Sequence, residues 1–360
     1  MKLLAVTARS ATFSTGYGSA YFAPMPFNVK LNGELVRERE EHNVFSLFSL
    51  MPDTEYELDT GGSKLKFKTE SETLFLNVKD FGAAGDGVRN DAPSFSAAIA
   101  CAEDGSTVYV PAGDYLLTPV FLKSGITLWL DGGARLLGEI DRTEYPVLPG
   151  ICGEGDARRN FGTWQGEEAN CFASVLTAIN CKNIAIIGEG TVDGNALSSD
   201  WYQNHRVMRI AWRPRGLFFN RCNGVLVQGI TVRDTPSWNV HPYFCKNVKL
   251  YNLGLYNAPS MPTTDGIDPD CCENVDIAGV NISVGDDCIA IKSGTLELAR
   301  RYKTPCKNIT VTDCLMESGH GGVVFGSESS GGIENVLVEL CLFRVTERGF
   351  RIKTRRGRGR

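Results

Sequence analysis

One four-residue frame recurs along the second half of this chain and limits what it can fold into. Cys181-Lys182-Asn183-Ile184, Cys222-Asn223-Gly224-Val225, Cys245-Lys246-Asn247-Val248, Cys272-Glu273-Asn274-Val275 and Cys306-Lys307-Asn308-Ile309 share it, and Ile333-Glu334-Asn335-Val336 continues it with Ile in place of Cys. After the wider first step from Cys181 to Cys222, the spacing falls mostly in the twenties. Most units are a turn Asn followed by a short β-branched strand. A period in the twenties is about the length of one coil of a parallel β-helix. No coil of such a solenoid buries its own apolar face, so stacking on the neighbours supplies the core. The recurring cysteines then read as an inward column of small apolar side chains. The sequence has no zinc-spaced CxxC pairs, and the adjacent Cys271-Cys272 suits neither zinc nor an easy disulfide. No metal and no other cofactor is expected.

The segment ahead of Leu74 is different. Short strands are predicted at 11–13, 21–22, 27–31, 44–48, 56–58 and 65–68. Leu50, Pro52, Thr54, Tyr56 and Leu58 alternate at period two, with the tyrosine just after a proline turn, as at the tyrosine corner of β-sandwiches. Residues 1–72 therefore read as a small β-sandwich. They resemble a fibronectin type III module, although the segment is short and has no Trp. Residues 73–360 form the solenoid domain, with one helix at 92–102. The 39 glycines suit a turn-rich β architecture. A stretch over 141–170, with Pro146, Pro149 and little periodicity, interrupts the repeat and is expected to lean over one face of the helix.

The formal net charge of −5 includes five Arg and one Lys within residues 351–360, so the rest of the chain is strongly acidic. An acidic body with one basic strip is not the pattern of a nucleic-acid binder. No run of about 18 apolar residues exists, so no membrane helix is expected. Twelve Cys in a chain this long fit a reducing compartment. Residues 1–11 lack the apolar core of a secretory leader. The expected location is the cytoplasm, of a bacterium.

Chemistry is concentrated on one stripe. Asp265 lies in Thr263-Thr264-Asp265-Gly266, and Asp286 and Asp287 lie in Gly285-Asp286-Asp287-Cys288, close to one coil further on. Neighbouring parallel strands are about 4.8 Å apart, so the carboxylates should be neighbours. One Asp-Gly is usually a capped turn. Two acidic turns on successive coils are a repulsive arrangement that chemistry or a cation has to use. His320, in Gly319-His320-Gly321, follows Asp286 by roughly one coil. Arg351 follows His320 by roughly another, with Lys353 on the same strand face. Acids for proton transfer beside an Arg/Lys pair suit hydrolysis of a polymer bearing carboxylates.

These four motifs, in this order, resemble glycoside hydrolase family 28, the polygalacturonases. The resemblance runs from about residue 74 to the end and includes Phe81-Gly82-Ala83-Ala84-Gly85-Asp86-Gly87. It implies an all-β fold, a right-handed parallel β-helix of the pectin lyase-like kind. It implies Asp286 as general acid, Asp265 and Asp287 as general base, His320 as support for the acid or a sugar contact, and Arg351 and Lys353 as ligands of the galacturonate carboxylate. Inversion at the anomeric centre is implied as well. Pro236-Ser237-Trp238-Asn239-Val240-His241 looks like a subsite segment of the bacterial, often exo-acting branch. Trp238 and His241 are therefore counted as substrate-binding, and Lys292 is counted with them. The chain departs from the pattern in having Thr263 where the family usually has Asn. It also stops just after Lys353, where family members add further coils.

The expected partner is a pectic polysaccharide or oligogalacturonide, with the oligomeric state left open. Exo action is favoured because an extra module and a long loop could close one end of the groove. The rivals are a hydrolase of rhamnogalacturonan or xylogalacturonan, a β-helix lyase using the acids as calcium ligands, and a non-catalytic β-helix that binds carbohydrate.

Overall fold

The β-branched residue of each frame falls in one in-register column. Ile184, Val225, Val248, Val275, Ile309 and Val336 face one another on successive parallel strands. The computed structural model, which describes residues 1–153, 155, 158–356 and 358, places these strands in a nine-stranded sheet running from Phe75–Asn77 to Ile333–Glu339. A second nine-stranded sheet runs from Asp86–Asn90 to Leu342–Thr346. The third face is formed by Val120–Phe121, Leu176–Ile179, Leu217–Asn220 and Val240–Tyr243, then by Ile289–Ile291, Val323–Phe325 and Phe350–Ile352. Parallel bridges through Ile267 and Asp270 join its two parts. The chain visits the three sheets in turn and builds a right-handed parallel β-helix. A fully buried Val or Ile contributes on the order of 1.5–3 kcal/mol, and every coil supplies several to one continuous core. The helix Ala92–Cys101 packs Phe95 and Ile99 onto the first coils.

The frame asparagines hold the turns. Asn183, Asn247, Asn274, Asn308 and Asn335 have φ of 50°, 54°, 59°, 57° and 53°. This is the left-handed region, which Asn tolerates better than other side chains. Gly224 takes the same place in its coil at φ 79°. The side-chain amides form a ladder along the axis: Asn335 donates to Asn308 at 3.1 Å, Asn308 to Asn274 at 2.9 Å, Asn274 to Asn247 at 3.0 Å and Asn247 to Asn223 at 2.8 Å. The frame cysteines point inward. Cys222, Cys245, Cys272 and Cys306 donate their thiols to carbonyls of the preceding coil at 3.5, 3.3, 3.2 and 3.4 Å. All twelve cysteines are free thiols, and nine are buried.

The chain before the solenoid forms two antiparallel sheets. Lys2–Val6, Ala11–Ser14 and Val44–Leu47 make one; Glu34–His42, Phe22–Leu31, Glu55–Asp59 and Lys64–Lys68 make the other. Phe13, Val29, Phe45, Leu58 and Phe67 fill the space between them. The Tyr56 hydroxyl accepts the Met51 N–H at 2.9 Å, which closes the corner its position suggested. Two strands here escape the sequence pattern. Lys2–Val6 reads as a broken apolar run, and Glu34–His42 is an edge strand crowded with exposed charge, as edges that avoid pairing tend to be. The two sheets dock on the solenoid through Ser10 to Gln228 at 3.2 Å, Asn43 to Asp313 at 3.1 Å, and contact of Ala5 and Val44 with Tyr251 and Ala278. Phe48 leaves no space at Gly229 for a β-carbon.

The interruption over 141–170, of which residues 154, 156 and 157 lie outside the described residues, carries a hairpin of Thr163–Trp164 and Glu167–Glu168. The hairpin covers the outer face of the third sheet. In the last coil, inward Val336, Val338 and Cys341 are only partly buried, and Val345 and Ile352 are 75% and 63% exposed. Among the described residues, no helix is long and apolar enough to cross a membrane.

Asn274→Ala removes two ladder bonds and puts a residue without the tolerance of Asn into the left-handed region, so it should cost about 2 kcal/mol. Asn274→Gly loses the same bonds without the backbone cost, so roughly half that loss is expected. Thermal and urea melts of both variants check the order; equal losses would place the stabilisation in the amide ladder alone.

Candidate active site

Turns leading into the third sheet bring the sequence-selected residues together on successive coils. Asp265 precedes Ile267. Asp286 and Asp287 occupy the turn before Ile289–Ile291, and His320 the turn before Val323–Phe325. Arg351 lies within Phe350–Ile352, and Lys353 follows it. Backbone bonds tie the turns to one another: Asn239 N to Asp265 O at 2.8 Å, Gly266 N to Asp287 O at 2.9 Å, Cys288 N to Gly321 O at 2.7 Å and His320 N to Asp286 O at 2.8 Å. The carboxylates are thereby fixed by the stack itself.

One oxygen of each of Asp265, Asp286 and Asp287 lies within 4.8 Å of the others. The side chains of Asp265 and Asp287 are 6% and 3% exposed; that of Asp286 is 23% exposed and is the trio's outlet to solvent. Lys353 pairs with Asp287. Lys292 lies 2.5 Å from Asp268 and 3.4 Å from Asp265. His320 Nδ1 is 3.4 Å from Asp286, and its Nε2 is 3.9 Å from Glu347. The guanidinium of Arg351 makes no ion pair or hydrogen bond among the described residues, so its charge is free for a ligand.

Burial and charge oppose each other here. Burial pushes the Asp265 carboxyl well above the usual range; Asp268, Asp286 and Asp287 add to this while Lys292 opposes it. Burial also raises Asp287, against the pull of Lys353. Asp268 is pushed up to about 6 by burial despite its ion pair with Lys292, and Asp270 to about 7. Burial alone would lower Lys292, but Asp268 and Asp265 hold its ammonium well above its ordinary value. The trio cannot be fully ionised without strong repulsion. Asp265 and Asp287 therefore keep their protons to higher pH than an isolated carboxyl, which acid–base chemistry can use.

Three residues expected to touch substrate are placed differently. His241 is fully buried, with Nε2 3.8 Å from Asp270 and its ring edge-on to Trp238 at 4.7 Å. Burial keeps its imidazole neutral. Trp238 has its ring covered by Lys292 Nζ at 3.7 Å and by Trp164 at 5.6 Å, so no open face remains for a sugar. Lys292 is spent on Asp268 and Asp265. All three form a packed floor behind the carboxylates. The reason is the hairpin over 163–168, whose Trp164 stacks between Trp212, at 4.8 Å, and Trp238. Arg215 donates to the carbonyl of Thr163 at 2.5 Å, and Thr295 N donates to that of Gly166 at 2.9 Å, which holds the hairpin down.

Sequence reading passes over Asp268, Asp270, Arg213 and Arg215. A signal for the acids is present: Asp268 and Asp270 alternate after Asp265, and their register partners, Ala290 and Lys292, lie on the next coil. Nothing local marks Arg213 and Arg215, which depend on the fold of the hairpin.

Residues 102–359 match the family model of Glycosyl hydrolases family 28, and the chain belongs to that family. A probable polygalacturonase of Vitis vinifera is 32% identical over 291 residues, which cover 79% of this chain and 57% of that protein. The chain thus spans a little over half the length of the curated relatives it matches. An exopolygalacturonase of Thermotoga maritima superposes with a TM-score of 0.69 at 30% identity, over 79% of this chain and 70% of that one. A family 28 exopolygalacturonase of Yersinia enterocolitica shares the fold over 98% of this chain and 76% of its own, with a TM-score of 0.77 at 21% identity.

This kinship overturns the cytoplasmic expectation. The curated relatives are mostly plant polygalacturonases, and a pectin-degrading enzyme meets its polymer in the cell wall, outside the cell. The cysteines are unpaired and most serve as small apolar side chains in the core.

Asp270 gives a stability test. Its folded pKa is raised, so the native state binds more protons than the unfolded chain between about pH 4 and 7, and stability falls as pH rises through that window. Asp270→Asn removes that loss. Its stability relative to the parent should grow by about 2–3 kcal/mol between pH 5 and pH 8. Urea titrations at both pH values measure the difference; a difference that does not change with pH would show that Asp270 is ionised in the fold.

Proposed function

We propose that this chain hydrolyses α-1,4 bonds between galacturonic acid units of de-esterified pectin or oligogalacturonides, from one chain end and with inversion. The observation that carries this reading is the carboxylate trio with Arg351, whose guanidinium has no partner among the described residues, and the Lys353 ammonium on the same stripe of coils. Arg recognises a planar carboxylate through two parallel hydrogen bonds and Lys adds a point charge, so a uronate is favoured beside the cut. The relatives named polygalacturonases point to the same substrate class.

The roles follow the charges. Lys292 flanks Asp265 and Lys353 flanks Asp287, and each ammonium favours its partner's ionised form. Asp286 is the most exposed of the three and lies beside His320, so it is the carboxyl placed to meet the glycosidic oxygen. Asp286 is the general acid that protonates the glycosidic oxygen; Asp265 and Asp287 are the base. Two oxygens about 4.4 Å apart are each within hydrogen-bond reach of a single water between them, and the trio is spaced for that. The spacing is shorter than the roughly 6.5–9.5 Å usual between the acid and base of inverting enzymes. Inversion therefore rests on a water held by Asp265 and Asp287 together. Exo action is supported by the Trp164–Trp212–Trp238 stack, which fills the surface on the coils before Asp265, and by the relative from Thermotoga maritima. Residues 1–72 act as a docked module and 73–360 as the catalytic domain.

The carboxylate trio is also compact enough for a cation, which favours a lyase as the second reading. The two lysines already beside it argue against that. Incubation with polygalacturonate should release saturated galacturonate or its dimer, unaffected by chelator, and Asp286→Asn should lower turnover at least about 10³-fold. Proton NMR of the first product should show the β-anomer. A UV-absorbing unsaturated product lost on chelation would establish the lyase instead, and an α-anomer would establish retention. Lys292→Met takes away the charge that opposes protonation of Asp265. The acid limb of kcat/KM should move up by about one pH unit, tenfold in rate on that limb; an unmoved limb would exclude Asp265 as the base.

A further inference from the structure

Thr263, just upstream of Asp265, has φ of 57°. A β-branched residue in the left-handed region is a genuine outlier, and such conformations persist only where the surroundings enforce them. Here the enforcing group is Arg213. Its side chain is buried and donates to Thr263 Oγ1, while its second nitrogen donates to the Pro236 carbonyl at 2.6 Å. The Thr263 hydroxyl passes its own proton to Pro262 O at 2.6 Å. Next in the chain, Thr264 Oγ1 accepts from Gly285 N at 3.0 Å, which links this turn to the one carrying Asp286 and Asp287. The other side of Arg213 rests on Trp164, 5.5 Å from the ring centroid. A buried cation committed to a strained turn beside a reacting carboxylate is costly unless the turn depends on it.

We infer that Arg213 is a positioning residue: it holds the Thr263 turn in its left-handed conformation and so sets the reach of Asp265 toward the other two carboxylates. Asn adopts this conformation readily and carries its own amide, so Thr263→Asn should make the turn independent of Arg213. The inference rests on the hydrolase reading for its kinetic consequence, but not for its structural one.

The test is a double-mutant cycle of Arg213→Met and Thr263→Asn, read by kinetics on polygalacturonate and by thermal melting. Arg213→Met should lower kcat by about 10²-fold, the usual cost of misplacing a catalytic group by about 1 Å, with KM changed by no more than about threefold. Adding Thr263→Asn should restore at least about tenfold of that loss and recover part of the fall in melting temperature. An undiminished kcat in folded Arg213→Met, or a double variant no better than the single one, overturns the inference. Should the parent chain release no product from polygalacturonate, the hydrolase reading fails, and the melting cycle still decides: additive shifts overturn the role of Arg213, and compensation supports it.

Discussion

Every distance in the site depends on in-register stacking of one coil on the next. A parallel ladder keeps residues of successive coils about 4.8 Å apart, so three carboxylates on adjacent coils come together without any local device to gather them. The same stacking places Asn over Asn in the turns and Cys over Cys in the core. What differs between the columns is the sign of the interaction. Asn amides donate to and accept from one another, thiols donate to carbonyls, and carboxylates repel. A column of carboxylates is therefore the one place where the stack works against itself. It is also where Lys292 and Lys353 are inserted.

The inserted lysines do not cancel the acids. Asp265, Asp268, Asp270 and Asp287 are all buried, and Lys292 and Lys353 are the ammonium groups beside them. Desolvating an ion costs several kcal/mol even after relaxation, and burial accordingly pushes Asp268 up to about 6 and Asp270 to about 7, towards their protonated forms. These buried acids thus take up protons near neutral pH. The neutral His241 packed beside Asp270 fits this balance: a charged imidazole would have made that acid ionise.

The repeat frame makes the solenoid legible, because Asn at a turn and a β-branched strand after it each have a local physical cause. The stripe of acidic and basic side chains is legible for the same reason, since coil-length spacing converts separation in sequence into contact. What escapes depends on the segment that breaks the repeat. The hairpin over 163–168 is short, irregular and held by buried Arg215 and by its contact with Thr295, and neither has a periodic signature. Lys292 is held by Asp268 and Asp265, but without the hairpin His241 and Trp238 would stand on an open strand face, as their positions in the sequence suggest. With it they become floor. Glu34–His42 escapes for the opposite reason: its charges suit an exposed edge so well that they conceal a strand.

The covering hairpin also sets how the floor is held. Buried polar atoms normally find partners, yet both ring nitrogens of His241, one oxygen of Asp270 and two guanidinium nitrogens of Arg215 have none among the described residues. Stacked tryptophans and an arginine cannot supply acceptors to an imidazole. The imidazole of His241 is therefore held by packing rather than by directed hydrogen bonds, in contrast to the turns above it, which backbone hydrogen bonds tie together. Fixed turns on a less constrained floor leave the carboxylate positions to the backbone ladder, and leave the proton inventory to residues that never reach the groove.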